Sequence, residues 1–187
     1  MPDFRRFFVA GGTYFFTLAT ANRAPLFADA EGRAMLGRAI RARCAQSPFT
    51  TIAIVLMPDH LHAIWTLPAG DDDYPSRWRA IKATFAHEWL RRGGLEQRVT
   101  PGYQSQRHRG VWQPRYMEHV IGEEQDLQNH VDYIHYNPVK HGYVRSPRQW
   151  PWSSFRRYVV SSEYREEWGS NDRPPPNFPG VDEDLLE

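Results

Sequence analysis

The segment from Phe49 to Met57 is almost wholly apolar, Pro58-Asp59 breaks it, and His60 to Leu67 starts a new run. An unbroken apolar run of this length suits a central strand, covered on both faces. The rest of the fold is read outward from this pair. Gly11-Gly12 is a turn, and Thr13 to Thr20, rich in aromatic and β-branched residues, reads as a strand. Asp29 to Gln46 carries Met35, Leu36, Ala39, Ile40 and Cys44 on one helical stripe. Ser76 to Arg91 repeats the pattern with Trp78, Ile81, Phe85 and Trp89, and Gly93 and Gly94 stop it. Residues 95–110 read as a loop, and Val111 to Ile121 as a fourth strand whose Pro114 marks an edge or bulge. A third helix runs from about Glu123 to Tyr136, with acids in its first turn and Asn137-Pro138 ending it. The order β-α-β-β-α-β-α predicts an α+β fold: helices against a mainly antiparallel sheet. One domain is expected over residues 1–160. It ends in a short ordered coda, Trp-Pro-Trp-Ser-Ser-Phe, followed by an acidic, disordered tail at 161–187.

The 187 residues carry a single cysteine, Cys44, which excludes an internal disulfide and fits a reducing cytoplasm. The longest apolar run, Ile52 to Met57, is too short to cross a bilayer, and no secretory leader is visible. The net charge of +1 conceals an asymmetry. Arg77 to Arg115 holds nine Lys/Arg against two acids, and Ser161 to Glu187 holds eight acids against two bases. A basic body rich in Trp and Tyr points to a polyanion, with nucleic acid ahead of an ordinary solvated surface.

Alternation along a strand puts His60 and His62 on one face. Two imidazoles there make half of a metal site, although a lone His-x-His is a weak signal and is common on solvated sheet faces. In the third helix, Leu127, Val131 and Ile134 form the stripe expected to face the sheet. His130, Tyr133 and Asn137 form a second, polar stripe, and Tyr136 lies away from the core. A tyrosine facing a metal suits phosphodiester cleavage through a phosphotyrosine.

The segments MPDHLHAIWTLPAGDDDYPSRWRAIK, WQPRYMEHVI and HVDYIHYNPVKHG resemble the REP-associated tyrosine transposases of bacteria, relatives of the single-tyrosine HUH transposases of insertion sequences. The opening RRFFVAGGTYFFTLAT and the WPWSSF segment also fit, so the resemblance covers roughly residues 4–158. It implies a ferredoxin-like HUH endonuclease fold. The HUH pair falls on His60 and His62, and the nucleophile on Tyr133 rather than Tyr136. Asn137, one turn after the nucleophile, is the implied third metal ligand for Mg²⁺ or Mn²⁺, with His130 as second choice.

The implied reaction is metal-dependent cleavage of single-stranded DNA. Tyr133 attacks phosphorus and forms a 5′-phosphotyrosine that a second 3′-hydroxyl can reverse. A free phenol has a pKa near 10, so its activation is assigned to the metal, to nearby arginines or to a base such as His130. The implied partner is a repetitive extragenic palindrome (REP), a hairpin flanked by a guide tetranucleotide. The expected site of action is the cytoplasm, at the nucleoid, as a monomer or homodimer. Arg77, Arg79, Lys82, Arg107, Arg109 and Arg115 are candidates for phosphate contacts. Trp112, Trp150, Trp152 and Tyr14 are candidates for base stacking. Two other readings stay open: a hairpin-binding module with little catalysis, and a replication-initiator-like nickase.

Overall fold

The computed structural model describes residues 7–100, 102, 109–170 and 178. Its sheet has four strands: β1 (Thr13–Ala19), β2 (Thr50–Leu56), β3 (His60–Thr66) and β4 (Met117–Val120). Their order is β2-β3-β1-β4, and every pairing is antiparallel. Helices α1 (Ala30–Gln46) and α2 (Tyr74–Arg91) follow β1 and β3, so the connectivity is that of a ferredoxin-like fold. Two further helices, α3 (Glu124–Lys140) and α4 (Phe155–Val160), come after β4.

Helices α1 and α2 each start where a side chain relieves the unpaired amides of the first turn. Gly32 N–H donates to the Asp29 carboxylate at 3.1 Å, and Ser76 N–H to Asp73 at 3.1 Å. The sheet is packed on both faces. Tyr14, Phe16, Leu61, Ala63 and Trp65 meet Met35, Leu36, Trp78, Ile81 and Phe85 of α1 and α2. Phe15, Val55, Ile64 and their neighbours meet Val131, Tyr133 and Ile134 of α3, with Phe155 and Tyr158 of α4. Strand alternation divides the side chains between these two cores, and His60 and His62 lie on the α3 side.

Five expectations change. The apolar run from Phe49 to Met57 forms β2, which is an edge strand rather than a central one; its apolar character is accommodated because the segment at Trp152 and Ser154 bonds along its outer edge. The fourth strand is four residues long rather than eleven: only Met117–Val120 pairs with β1, and the chain before it touches β1's end through one bridge, Thr20 to Trp112. Asn137-Pro138 does not end α3. Pro138 lacks only its own N–H, and the helix runs on to Lys140, where His141 N–H closes onto the carbonyls of Asn137 and Val139. The polar stripe His130, Tyr133 and Asn137 is buried against the sheet, at 2%, 1% and 0% exposure. Finally, packing continues past residue 160: Tyr164 is buried in the α3-side core and Trp168 stacks on it at 4.3 Å.

Candidate active site

β3 is flanked by β1 and β2, so the backbone carrying His60 and His62 is fixed by hydrogen bonds on both edges. The two imidazoles stand edge to face, with ring centres 4.9 Å apart. Each has one nitrogen held by a neighbour. His60 Nδ1 lies 2.6 Å from the Asp59 carboxylate, and His62 Nδ1 lies 2.8 Å from Thr17 Oγ1, its cross-strand neighbour. Holding Nδ1 in this way directs Nε2 toward the site. Burial opposes ionisation of Asp59, but the His60 bond and the charges of His60 and Arg23 outweigh it and leave the carboxyl below its ordinary range. Burial, with the charges of His60, His141, Arg23 and Lys140, pushes His62 well below the usual imidazole value. His62 is therefore a neutral imidazole at neutral pH, with a ring-nitrogen lone pair to offer.

α3 supplies the opposing side. The Tyr133 ring meets His62 edge to face at 5.3 Å. Asn137 lies one turn on, fully buried. Nε2 of His62 and both polar atoms of the Asn137 amide are buried without a hydrogen-bond partner. Orphaned buried polar atoms are costly, and an imidazole nitrogen and an amide oxygen are both ligand types for a divalent cation. The donor types thus fit a divalent metal, without selecting Mg²⁺ among them. Tyr136 lies outside the group. Its ring and that of Tyr133 both meet Phe178, at 5.9 and 5.6 Å.

Several side chains here were not anticipated. Lys140 Nζ sits over the Tyr133 ring, 5.2 Å from its centre, and His141 packs against His60 at 5.5 Å. Asp59, Thr17 and Arg23 join them. Tyr-to-Lys spacing along a helix was readable, but Thr17 emerges only from the register of β1 on β3. His130, the second choice for a third ligand, is bonded to Asp126 at 2.9 Å and stacks on His119.

The proposed DNA contacts divide. Arg77 is 3% exposed, ion-paired with Asp71 and bonded to the carbonyls of Ser47, Pro48 and Asp73, so it holds the fold together and is not offered to a phosphate. Trp112, Trp150 and Tyr14 are core residues, because their rings fill the two faces of the sheet. Lys82 is half-buried, donates to Gln113 O at 2.7 Å and lies over the Trp112 and Tyr116 rings. Arg79 and Arg115 are exposed, Arg109 is exposed but forked onto Glu96, and Arg107 lies outside the described residues. Trp152 is 39% exposed, with Arg33 stacked over its ring at 4.1 Å. Among the described residues, no helix is long and apolar enough to cross a membrane.

No family model matches the chain. Individual proteins do. It is 40% identical over 171 residues to the REP-associated tyrosine transposase of Escherichia coli (strain K12), covering 91% of this chain and 93% of that one. A putative REP-associated tyrosine transposase of Haemophilus influenzae (strain ATCC 51907 / DSM 11121 / KW20 / Rd) is 39% identical over 91% of this chain and 95% of its own. A solved structure of a REP-associated tyrosine transposase bound to a REP hairpin superposes with a TM-score of 0.76 at 37% identity, covering 97% of this chain and 99% of that one. Near-complete coverage at this identity, on the same fold, means that the chain belongs to the REP-associated tyrosine transposases.

Proposed function

We propose that the protein cuts and rejoins single-stranded DNA beside REP-type hairpins, with Tyr133 as nucleophile. The observation that supports this reading is the Tyr133 ring set edge to face on His62, whose Nε2 is buried without a partner, with the unpartnered Asn137 amide one helical turn after Tyr133. His60, His62 and Asn137 would hold Mg²⁺ or Mn²⁺, which when bound would supply Lewis-acid polarisation of a phosphate oxygen. The Tyr133 phenol oxygen forms a bond to phosphorus as the bond to the 3′-oxygen breaks. The phenol proton is lost, the leaving 3′-oxygen gains one, and a 5′-phosphotyrosine remains. A second 3′-hydroxyl reverses the step and joins strands. Lys140 places positive charge over the Tyr133 ring and favours the developing phenolate. Asp59 and Thr17 keep the imidazoles oriented.

Bases next to the cut stack on Tyr143 and Trp152, the exposed members of a chain of rings leading out from the site. From His60 it runs through His141 (5.5 Å), Tyr143 (6.4 Å), Trp150 (5.5 Å) and Trp152 (4.8 Å). Tyr143 and Trp152 are its exposed faces, at 51% and 39%. Arg79 and Arg115 contact backbone phosphates. The protein acts in the cytoplasm, at the nucleoid.

The test is a hairpin oligonucleotide incubated with protein and Mn²⁺ or Mg²⁺. A denaturant-resistant adduct is expected, lost in Tyr133→Phe, in EDTA and in His60→Ala/His62→Ala. An adduct that persists in Tyr133→Phe overturns the assignment of the nucleophile. Tight binding without an adduct in either metal would favour the hairpin-binding reading.

A further inference from the structure

On the same face of the sheet, but away from His60 and His62, three more ligand-type side chains converge. His119 comes from β4, and Asp126 and His130 from the first two turns of α3. One ligand atom from each lies within 4.8 Å of the other two. His119 Nε2 is 2.9 Å from Asp126 Oδ2, and His130 Nδ1 is 2.9 Å from Asp126 Oδ1. Ligands bonded at about 2.1 Å to one tetrahedral ion stand about 3.4 Å apart, so three ligand atoms that all lie within 4.8 Å of one another can be bridged by a single ion after a small opening of the two hydrogen bonds. The two imidazoles stack, with ring centres 4.6 Å apart.

The group is separate from the pocket of Tyr133. Phe15 faces His119 across β4 and Ile64 across β3, while His62 faces Thr17, one pleat along. The Phe15 ring stands between the two groups, 5.6 Å from His62 and 4.8 Å from His130. The outer side opens into a surface cleft lined by Glu123, Gln125, Asp126 and Asn129 as well as His119, which gives an ion a route in.

We propose that His119, Asp126 and His130 form a second metal site, for a first-row ion of the Zn²⁺ or Co²⁺ kind. Two imidazoles and one carboxylate are borderline ligands that suit such ions better than Mg²⁺. The ion would replace the Nδ1 proton that His130 now shares between the carbonyl and carboxylate of Asp126. It would fasten the edge strand β4 to the helix one turn before Tyr133, so its role is to position that helix on the sheet.

The experiment is a Co²⁺ titration read by visible absorption and by equilibrium dialysis, with circular dichroism to check folding. In His60→Ala/His62→Ala the protein is expected to retain one bound Co²⁺. Adding His119→Ala, or Asp126→Asn, which keeps the side-chain shape, should weaken that binding at least tenfold in folded protein. Absence of retained Co²⁺ in folded His60→Ala/His62→Ala overturns the proposal, as does retention unaffected by both added substitutions. Because the readout is made without the His60–His62 pair, it stands independently of the cleavage reaction.

Discussion

Asp59→Ala should weaken metal binding far more than it weakens the fold. Its carboxylate, 23% exposed, lies 2.6 Å from Nδ1 of His60, a ring that is 4% exposed. That bond fixes the tautomer with the proton on Nδ1 and leaves the Nε2 lone pair for the proposed metal. Removing such a partner costs roughly 10–100-fold in metal affinity, about 1.4–2.7 kcal/mol. The fold loses less. Water can reach the vacated acceptor position, so the stability change should be at the low end for a lost hydrogen bond, about 1 kcal/mol. Adduct yield against Mn²⁺ concentration gives the first quantity, and urea denaturation the second. The half-saturating Mn²⁺ should rise at least tenfold in Asp59→Ala. Asp59→Asn, whose amide oxygen still accepts from Nδ1–H, should recover most of the loss. An unchanged metal requirement in Asp59→Ala, or an Asn variant no better than Ala, would refute the orienting role.

Arg77→Ala should destabilise the protein by about 2–4 kcal/mol, measured by denaturant midpoint, because it strands Asp71 and three backbone carbonyls that now share one guanidinium. The salt dependence of hairpin binding should be unchanged; a shallower slope would return Arg77 to the DNA surface. Acid should unfold the protein earlier than carboxylates alone require. Burial, with the nearby charge of Arg157, lowers His135 to about 3. Its unfolded value is near 6.5, so its effect is absent above that pH and grows as pH falls, to about 2 kcal/mol at pH 5. His62 and His130, also depressed by burial, act in the same direction. Thermal melts from pH 8 to pH 5 should show the loss, and a flat melting temperature across that range would contradict it.

The strand and helix periods carried most of the architecture, because alternation and amphipathic stripes report directly on which face is buried. The pairing of His60 with His62 and the stripe holding Tyr133 and Asn137 were readable for the same reason. What the sequence concealed depends on register and on the third layer. Thr17 belongs with His62 only because Thr17 lies opposite it across the sheet. The Tyr133 stripe looks like a solvent face until Phe15 and His62 of the sheet close on it, while Phe155, Tyr158 and Tyr164 pack on His135 of the same helix. Arginine content misled at Arg77: basic residues are counted by charge, yet a buried guanidinium serves its own chain. Trp112, Trp150 and Tyr14 misled likewise, since aromatic rings fill a core as readily as they stack on bases.

The residues just after the Tyr133 helix also settle the fate of one sheet edge. β2 is outermost, and such a strand normally leaves a row of unpaired amides and carbonyls facing outward. Here Leu56 N–H donates to Trp152 O at 2.8 Å, Ser154 N–H donates to Ile54 O at 2.9 Å, and the Trp150 indole donates to Leu56 O at 3.0 Å. The chain caps its own edge, while the opposite edge, β4, is only four residues long. Sheet-to-sheet growth through β2 is thereby closed to other copies. A chain cut before Trp150 would uncover that ladder and would be prone to assemble through it.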